Sequence, residues 1–436
     1  MFGKHFSYFS QQDWPQIKSW LRERMEPDTS VQENVRSILE QVKNTGDQAL
    51  LEYTKSFDCS DFGPGDMRVT DREIQDSLSL VPEQDLEVIR AAADKIRAFH
   101  SRQNQRSWFT PDPDGAFLGQ MVTPVPRAGL YVPGGRGGDT PLISSLLMNA
   151  IPAQVAGVES ICVVSPPRKD KTLSPYILGT THILGLDEIY KCGSAWAVGA
   201  LAYGTETIPA VDIIAGPGNI FVATAKQLLM GQVGIDMMAG PSELAVLADA
   251  SARPEYVAAD LLSQSEHDPL SGTFLVAREQ EFVSAVEQEL SRQIRDLPRK
   301  DIALKSLQDW GASFLVPDIR TGLDLINRIA PEHLEVCVSD PWSLLGGIRN
   351  AGAVFLGHTS PEPVGDYFAG PNHVLPTLST ARFSQALSVQ AFQKHVSILA
   401  ADQNYLLQHS HRIARMARME NLEAHARSVE IRLQGE

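Results

Sequence analysis

The feature that most limits how this chain can fold is a regular alternation of short apolar runs with helical patterns. One series begins at residue 127 and contains the runs GLYVP, SICVVS, EIYKC and VDIIAG. A second series begins after residue 242 and contains ELAVLAD, TFLVA, SFLVPD, LEVCVS and AVFLG. Short apolar strands separated by helices are typical of parallel sheets that helices cover on both faces. The sequence therefore predicts an α/β fold with two doubly wound, Rossmann-like domains.

Smaller helical domains are predicted at both ends of the chain. Residues 1–29 are expected to form an N-terminal helical segment. Residues 30–130 and 242–382 together are expected to form the first, discontinuous α/β domain, and residues 131–241 the second. From Ser388 the chain is charged and helical in pattern, so residues 383–436 predict a C-terminal helical arm.

The composition narrows the class of protein. The chain has 38 Lys and Arg against 53 Asp and Glu, which gives a net charge of −15. This excess argues against a nucleic acid or an anionic membrane as a partner and mildly suits a small cationic substrate. The chain shows no signal-peptide pattern and no apolar run near the length of about 18 residues that a membrane span needs. The four cysteines have no CxxC spacing, so we expect a cytoplasmic protein with reduced, mostly buried thiols.

Four short stretches carry candidate site residues: Gln264 with His267, Glu332 with His333, Asp366 with His373, and Glu420 with His425. On a helix, Gln264 and His267 would project from one face towards one point, although such a pair is by itself more often surface or capping residues. Asp366 would add a carboxylate and His425 an imidazole. This nitrogen and oxygen set suits zinc, or a neighbouring divalent metal, better than calcium or magnesium.

The adjacent Glu332 and His333 predict acid–base chemistry. Following Pro331, neighbouring side chains are expected to diverge by about 100°, so the two groups would act on different protons. The oxidation of an alcohol to an acid needs one base for the hydroxyl proton and another to activate water against the aldehyde. His333 is our candidate for the first base and Glu332 for the second. The alternative is a helix-start Glu beside a surface His.

Two glycine-rich loops follow apolar, strand-like runs: VPGGRGGD at 132–139 and GPGN at 216–219. Such loops let backbone N–H groups approach phosphates closely. Neither loop is a GxGxxG motif or a P-loop, and both are equally compatible with ordinary turns.

Beyond these motifs, longer segments of the chain resemble the histidinol dehydrogenase family over nearly its whole length. In order, the matching segments are RAGLYVPGG, LLMNAIPAQVAGV, DIIAGPGNIFVATAK, DMMAGPSELAVLAD, LLSQSEHDP, RIAPEHLEV, PEPVGDYFAGPNHVLPT, ARFSQALSV and ENLEAH. The resemblance implies the oxidation of L-histidinol through the aldehyde to L-histidine, with two NAD and a bound zinc that positions the substrate.

The resemblance also implies roles for individual residues. It places the zinc ligands on Gln264, His267, Asp366 and His425, the last supplied by the partner subunit of a homodimer whose arms dock across the interface. Those four residues, together with Ser242, Glu332, His333 and Glu420, match substrate-contacting positions. Tyr131 and Asn219 match cofactor contacts.

Two departures from the family pattern concern the cofactor. Trp196 stands where the family has a Gln that contacts the cofactor, and a Trp face could stack on an adenine or nicotinamide ring. The loop after VPGG is longer by about three residues, RGGDT. The competing hypotheses are a related dehydrogenase of another small hydroxyl compound such as a sulfonated diol, a zinc hydrolase, and a catalytically silent binding protein.

Overall fold

The computed structural model describes residues 1–24, 29–134, 140–238 and 240–433. Its strands within these ranges are β1 (Lys4–Ser7), β2 (Trp108–Pro111), β3 (Ala116–Pro124), β4 (Arg127–Tyr131), β5 (Ser160–Ser165), β6 (Glu188–Lys191), β7 (Ile213–Ala215), β8 (Gly234–Ile235), β9 (Glu243–Ala248), β10 (Gly272–Ala277), β11 (Gly311–Leu315), β12 (His333–Cys337), β13 (Ala353–Leu356) and β14 (Gln393–Ala401).

The helices in the same ranges are α1 (Trp14–Glu23), α2 (Thr29–Thr45), α3 (Asp47–Phe57), α4 (Asp71–Leu78), α5 (Glu83–His100), α6 (Ile143–Ala156), α7 (Pro175–Leu184), α8 (Ser194–Tyr203), α9 (Ile220–Leu229), α10 (Pro254–Ser265), α11 (Gln280–Gln293), α12 (Lys300–Trp310), α13 (Ile319–Ile329), α14 (Glu362–Val364), α15 (Gln403–Met419) and α16 (Glu423–Glu430). A π-helical turn, Gly365–Ala369, continues α14.

Both apolar series form parallel sheets with the same strand order, which confirms the predicted α/β fold. The first series gives a five-stranded sheet in the order β6-β5-β4-β7-β8. The second gives β11-β10-β9-β12-β13, extended by β1 beyond β11. If each series is counted from its first strand, both run 3-2-1-4-5, as in doubly wound folds. The winding direction changes between β4 and β7 in one sheet and between β9 and β12 in the other.

The prediction of a helical N-terminal segment is only partly right, because β1 adds an edge strand to the six-stranded sheet. Lys4 to Ser7 pair in parallel with Ala312 to Leu315 of β11. Phe6 stacks on Phe314 with ring centroids 5.4 Å apart. The pairing partner lies about 300 residues away in sequence, so no local pattern in the first 29 residues predicts this strand.

The helices between residues 29 and 100 pack on the five-stranded sheet, although the prediction grouped residues 30–130 with 242–382. Helices α2 and α3 share a buried apolar cluster with α8 and α9, and α5 packs against α6. An amphipathic helix shows that one face will be buried, but its pattern does not identify the surface that covers it. The division into independently folding domains stays a prediction.

The C-terminal arm begins with a strand rather than a helix. Strand β14 pairs antiparallel with β3 from Gln393 against Pro124 to Ala401 against Ala116, and β3 also pairs with β2. The helical prediction was wrong for these nine residues because their structure depends on pairing with a strand that is distant in the chain. It is confirmed for α15 and α16, where the periodic pattern is local.

The remaining general expectations concern the cysteines and membranes. Cys59, Cys162, Cys192 and Cys337 are free and buried, as predicted. Among the described residues, no helix combines the length and apolar character needed to span a membrane.

Candidate active site

The candidate site is built at the amino ends of β9 and β12 in the six-stranded sheet. Helix α13 ends at Ile329, Ala330 adopts a left-handed conformation (φ +51°), and β12 then begins at His333. The register places His333 beside Leu244, one residue into β9. Ligands of open α/β sheets usually bind at the carboxyl ends of the strands. The site of this chain therefore lies at the opposite edge from the usual one.

Glu332 is held in a buried position by a main-chain bond. Its side chain is almost fully enclosed, and its Oε2 accepts a hydrogen bond of 2.8 Å from the backbone N–H of Glu243. Burial raises the pKa of Glu332 to about 7, even though nearby His333 and the Glu243 N–H lower it. A carboxyl group with this pKa can take up or release a proton near neutral pH.

His333 is oriented by the same residue of β9. Its Nδ1 lies 3.1 Å from the carbonyl oxygen of Glu243. Because a carbonyl only accepts, Nδ1 carries the proton of this bond, and Nε2 faces Asp366 Oδ1 at 3.7 Å. Burial lowers the pKa of His333, but the charges of Glu332 and Asp366 outweigh burial and raise it to about 10.

The side chains of Glu332 and His333 lie closer together than the expected divergence of about 100° would place them. The distance between His333 Nδ1 and Glu332 Oε2 is 3.6 Å. The chain is extended here rather than helical, and both side chains turn towards the first residue of β9. Each base therefore senses the charge of the other, while a separate main-chain atom holds each of them.

Gln264 and Asp366, two of the predicted ligands, carry buried polar atoms that lack hydrogen-bond partners. Gln264, in the last turn of α10, is 1% exposed, and neither its amide oxygen nor its amide nitrogen has a hydrogen-bond partner among the described residues. Asp366 Oδ1 and His373 Nε2 are also buried without a partner there. A buried polar group left unpaired costs about 1–3 kcal/mol, so such a cluster is costly unless it binds something. Coordination of a metal would satisfy the two oxygen acceptors among them, Gln264 Oε1 and Asp366 Oδ1.

His267 and Ser242, two further predicted site residues, lie next to elements of this site. His267 lies two residues beyond the end of α10, where its N–H is 3.3 Å from the carbonyl oxygen of Gln264. Loss of hydration lowers the pKa of His267, and the charge of Asp366 opposes this effect, which indicates that the two residues lie close together. Ser242 directly precedes Glu243, and its carbonyl accepts from Gly272 at the start of β10.

Glu362 belongs to the site but was missed from the sequence. His333, Glu362 and Asp366 offer ligand-type atoms that all lie within 4.8 Å of one another. Burial and then the charge of Asp366 raise the pKa of Glu362 to about 8. Burial also raises the pKa of Asp366, but His333 and His373 outweigh it and hold that pKa well below its usual range. The spacing of four residues between Glu362 and Asp366 in PEPVGDYF is the signal that could have identified Glu362.

Glu420 and His425 lie apart from these residues within a single chain. Glu420 follows α15 and His425 lies in α16, and both are exposed. Helix α16 packs on α15, and the group of ligand-type atoms found in the described part of the chain does not include His425. The roles of both residues stay predictions.

Two predicted cofactor residues lie where the five-stranded sheet changes winding direction. Tyr131 ends β4, and its hydroxyl accepts from the N–H of Ser194 at 3.1 Å. The GPGN loop follows the neighbouring β7, and Asn219 caps α9 by accepting from the N–H groups of Phe221 and Val222. Dinucleotides bind at such switch points in doubly wound sheets. The positions suit cofactor binding, and the contacts themselves stay predictions.

The structure gives less support to a cofactor contact by Trp196 or by the longer loop after VPGG. Trp196 is 5% exposed in α8 and stacks on Tyr53 and Phe57, with ring centroids 5.4 and 5.6 Å away. Since most of the indole ring packs within the core, a cofactor contact by Trp196 stays a prediction. Of the VPGGRGGD loop, residues 135–139 lie outside the described residues.

Comparisons with a family model, with relatives in sequence and with a solved structure all identify the same family. The family model described as histidinol dehydrogenase matches residues 21–433. The histidinol dehydrogenases of Oleidesulfovibrio alaskensis and Nitratidesulfovibrio vulgaris are each 58% identical to this chain, over 98% of both chains in the first case and 96% of both in the second. The crystal structure of histidinol dehydrogenase from Elizabethkingia anophelis matches with a TM-score of 0.92 at 35% identity, covering 99% of this chain and 98% of that one. The chain belongs to the histidinol dehydrogenase family.

Proposed function

We propose that this chain catalyses the NAD-dependent, four-electron oxidation of L-histidinol through L-histidinaldehyde to L-histidine. The observation that carries the proposal is the buried pair Glu332 and His333 beside Asp366. Asp366 Oδ1 lies 3.7 Å from His333 Nε2 and has no hydrogen-bond partner among the described residues. Two bases and a ligand-type cluster are what two successive oxidations of a metal-held substrate require. The family supports this substrate over a sulfonated diol and this chemistry over a zinc hydrolase.

Zinc fits the donor set of this site. Gln264, His267 and Asp366 of one chain, with His425 of the partner subunit, would supply only nitrogen and oxygen atoms, which suit zinc. When bound, the ion would supply a positive charge that holds the imidazole and amine of the substrate. The amide oxygen of Gln264 is available to such an ion, because it is buried without a hydrogen-bond partner among the described residues.

His333 is the proposed base of the alcohol step. Its Nδ1–H is held by the Glu243 carbonyl, so Nε2 is the atom that takes the hydroxyl proton while hydride leaves to NAD. The raised pKa of His333 comes from the carboxylates of Glu332 and Asp366. His333 becomes a better base when a bound cation offsets the charge of Asp366, because its protonated form is then less stabilised.

Glu332 is the proposed base of the aldehyde step. Its pKa near 7 allows the carboxylate to take a proton from water while that water attacks the aldehyde carbon. A second NAD, when bound, would supply the hydride acceptor for the resulting hydrate. Tyr131, Trp196 and Asn219 are the proposed cofactor contacts.

A homodimer with a shared active site completes the proposal. The arm exposes many large apolar side chains, namely Leu399, Leu407, Met416, Met419 and Ile431. Exposed apolar surface of this extent is typical of protein interfaces. Docking of each arm on the partner subunit would cover these side chains and would carry Glu420 and His425 to the partner's site. A cytoplasmic location stays a prediction.

A steady-state assay with L-histidinol and NAD tests this function. We expect two NADH for each L-histidine formed, and no NADH from the His333→Asn variant. A stoichiometry of one NADH with accumulating aldehyde would contradict the four-electron reaction. Faster oxidation of a sulfonated diol than of histidinol would favour the related dehydrogenase, and hydrolysis without any NADH would favour the zinc hydrolase.

A further inference from the structure

Glu335 connects the strand that carries His333 with the helix that leads to Asp366. Alternate residues of a strand face the same side, so Glu335 and His333 both point from β12 towards the face covered by α10. Glu335 is 1% exposed, and its Oε1 accepts a hydrogen bond of 2.8 Å from the backbone N–H of Glu362. Helix α14 begins at Glu362, and its N-cap residue, Pro361, provides no side-chain cap. Glu335 therefore caps this helix from a neighbouring strand.

A second carboxyl group lies beside Glu335. Asp260, half-buried in α10, is close enough for its charge to act on the carboxyl group of Glu335. Two like charges at such a distance strongly disfavour each other. Burial and then the charge of Asp260 therefore raise the pKa of Glu335 well above its ordinary value. Glu335 Oε2 is buried and has no hydrogen-bond partner among the described residues.

The pair thus joins three elements that each carry a residue of the site. Gln264 follows Asp260 by four residues in α10, so the two lie on one face of the helix, about 6 Å apart along its axis. His333 precedes Glu335 by two residues in β12. Asp366 follows the capped Glu362 by four residues, in the π-helical turn.

We propose that Glu335, which caps Glu362 and lies beside Asp260, is a brace that holds the proposed metal-binding side chains Gln264 and Asp366 in position relative to His333. Glu335 and Asp260 are positioning residues, because the proposed function assigns neither of them a contact with the substrate. The inference rests on the proposed function for the identity of the metal. It predicts that zinc affinity depends on the bond from Glu335 to the Glu362 N–H and on the contact of Glu335 with Asp260.

The test compares the zinc affinity of variants by competition with a chromophoric chelator, which needs no turnover. Glu335→Gln keeps an oxygen for the Glu362 N–H and gains an N–H for Asp260, so we expect zinc affinity within about twofold of the unaltered protein. Glu335→Leu has a similar volume but lacks the bond to the Glu362 N–H and the polar contact with Asp260, and we expect about 10- to 100-fold weaker binding. Asp260→Ala, at a half-buried position that tolerates truncation, should lose about tenfold even if Glu335→Leu fails to fold.

Leu290→Ala is the matched control, because it removes buried side-chain volume in α11 on the same sheet face without touching the pair. We expect it to lower the thermal unfolding midpoint while leaving zinc affinity unchanged. The brace is overturned if folded Glu335→Leu and Asp260→Ala both bind zinc within twofold of the unaltered protein, if Glu335→Gln loses as much as Glu335→Leu, or if the unaltered protein binds no zinc.

The experiment distinguishes failure of the brace from failure of the proposed function. If the unaltered protein binds zinc but oxidises no histidinol, the proposed function fails while the affinity series still supports or overturns the brace. If the protein oxidises histidinol and the variants bind zinc normally, the function stands and the brace is wrong.

Discussion

Glu243 controls the chemistry of this site without supplying a reacting group. Its N–H holds the Glu332 carboxylate and its carbonyl holds the His333 ring, so the main chain of one residue at the start of β9 orients both proposed bases. Its own side chain forms a buried ion pair with Arg24, at 2.7 Å, that fixes this end of the strand. A main-chain anchor keeps its geometry when either base is replaced. The two bases can therefore be tested separately.

The first prediction separates the two oxidations. Glu332→Gln should retain much of the alcohol step and slow the aldehyde step by at least 100-fold, because an amide cannot accept the proton of water. His333→Asn should depress both steps. Supplying L-histidinol or L-histidinaldehyde to each variant, and following NADH in single turnovers, measures the two steps independently. Equal losses in both half-reactions of Glu332→Gln would contradict the assigned roles.

A second prediction concerns stability and Asp58, which follows the last residue of α3. Burial raises the pKa of Asp58 to about 6, and its Oδ2 has no hydrogen-bond partner among the described residues. The folded chain therefore binds this proton more tightly than the unfolded chain, and ionisation of Asp58 costs stability as pH rises from about 4 to 6. Asp58→Asn removes that cost. Allowing for partial exposure, we expect a gain of about 1–2 kcal/mol at pH 7.5 relative to pH 4.

Urea unfolding of both proteins at pH 4 and pH 7.5 checks the Asp58 prediction. The quantity to compare is the difference in the free energy of unfolding between Asp58→Asn and the unaltered protein, measured at each pH. If this difference is the same at both pH values, ionisation of Asp58 does not contribute to stability.

At the scale of elements, the sequence predicts structure well where the signal is local. The central strands of both parallel sheets are short apolar runs that are buried on both faces, and their pattern needs no knowledge of a partner. Strands β1 and β14 are partly exposed edge strands whose pairing partners are distant in sequence. Their structure therefore depends on contacts that no short stretch of the sequence contains. The residues of the site followed from family motifs, whereas their convergence at the amino ends of β9 and β12 required the three-dimensional register.

A third prediction concerns the GPGN loop between β7 and α9. A buried ion pair of Lys226 and Asp236 pins Gly216: Lys226 Nζ donates to its carbonyl at 2.9 Å, and Asp236 accepts from its N–H at 2.8 Å. Gly216 has φ +123°, and an added Cβ would lie 2.1 Å from the carbonyl oxygen of Tyr131. Gly216→Ala should therefore displace the loop from β4 and raise the Michaelis constant for NAD by about tenfold or more, without loss of zinc.

Gly231→Ala is the matched control for this prediction. Gly231 also has a positive φ, +94°, but an added Cβ there meets no atom within 4 Å. Both variants thus carry comparable backbone strain, and only one displaces the predicted cofactor loop. An unchanged Michaelis constant for NAD in folded Gly216→Ala, or an equal rise in both variants, would place the cofactor elsewhere.

At the scale of the whole molecule, one chain supplies only part of the proposed site. The two candidate bases and Asp366 lie together at the six-stranded sheet, and His267 lies close to Asp366. Glu420 and His425, in contrast, lie exposed on the arm. The arm also presents apolar side chains on β14, α15 and the segment after α16. The proposed exchange of arms between two copies would account for both facts, since a two-fold axis would complete two sites at once.

The last prediction tests this assembly by complementation. In a mixed dimer of one His267→Asn chain and one His425→Asn chain, one site carries both substitutions and the other carries neither. We therefore expect verified mixed dimers to show about half the activity of the unaltered dimer, although each parent variant is inactive. Mixing His267→Asn with Gln264→Leu is the matched control, because both substitutions lie in the same part of the site and each site of that dimer then carries one of them. Recovery in the first mixture but not in the second supports arm exchange. Absence of recovery in both would mean that the site is completed within a single chain, by a movement of the arm rather than by its exchange.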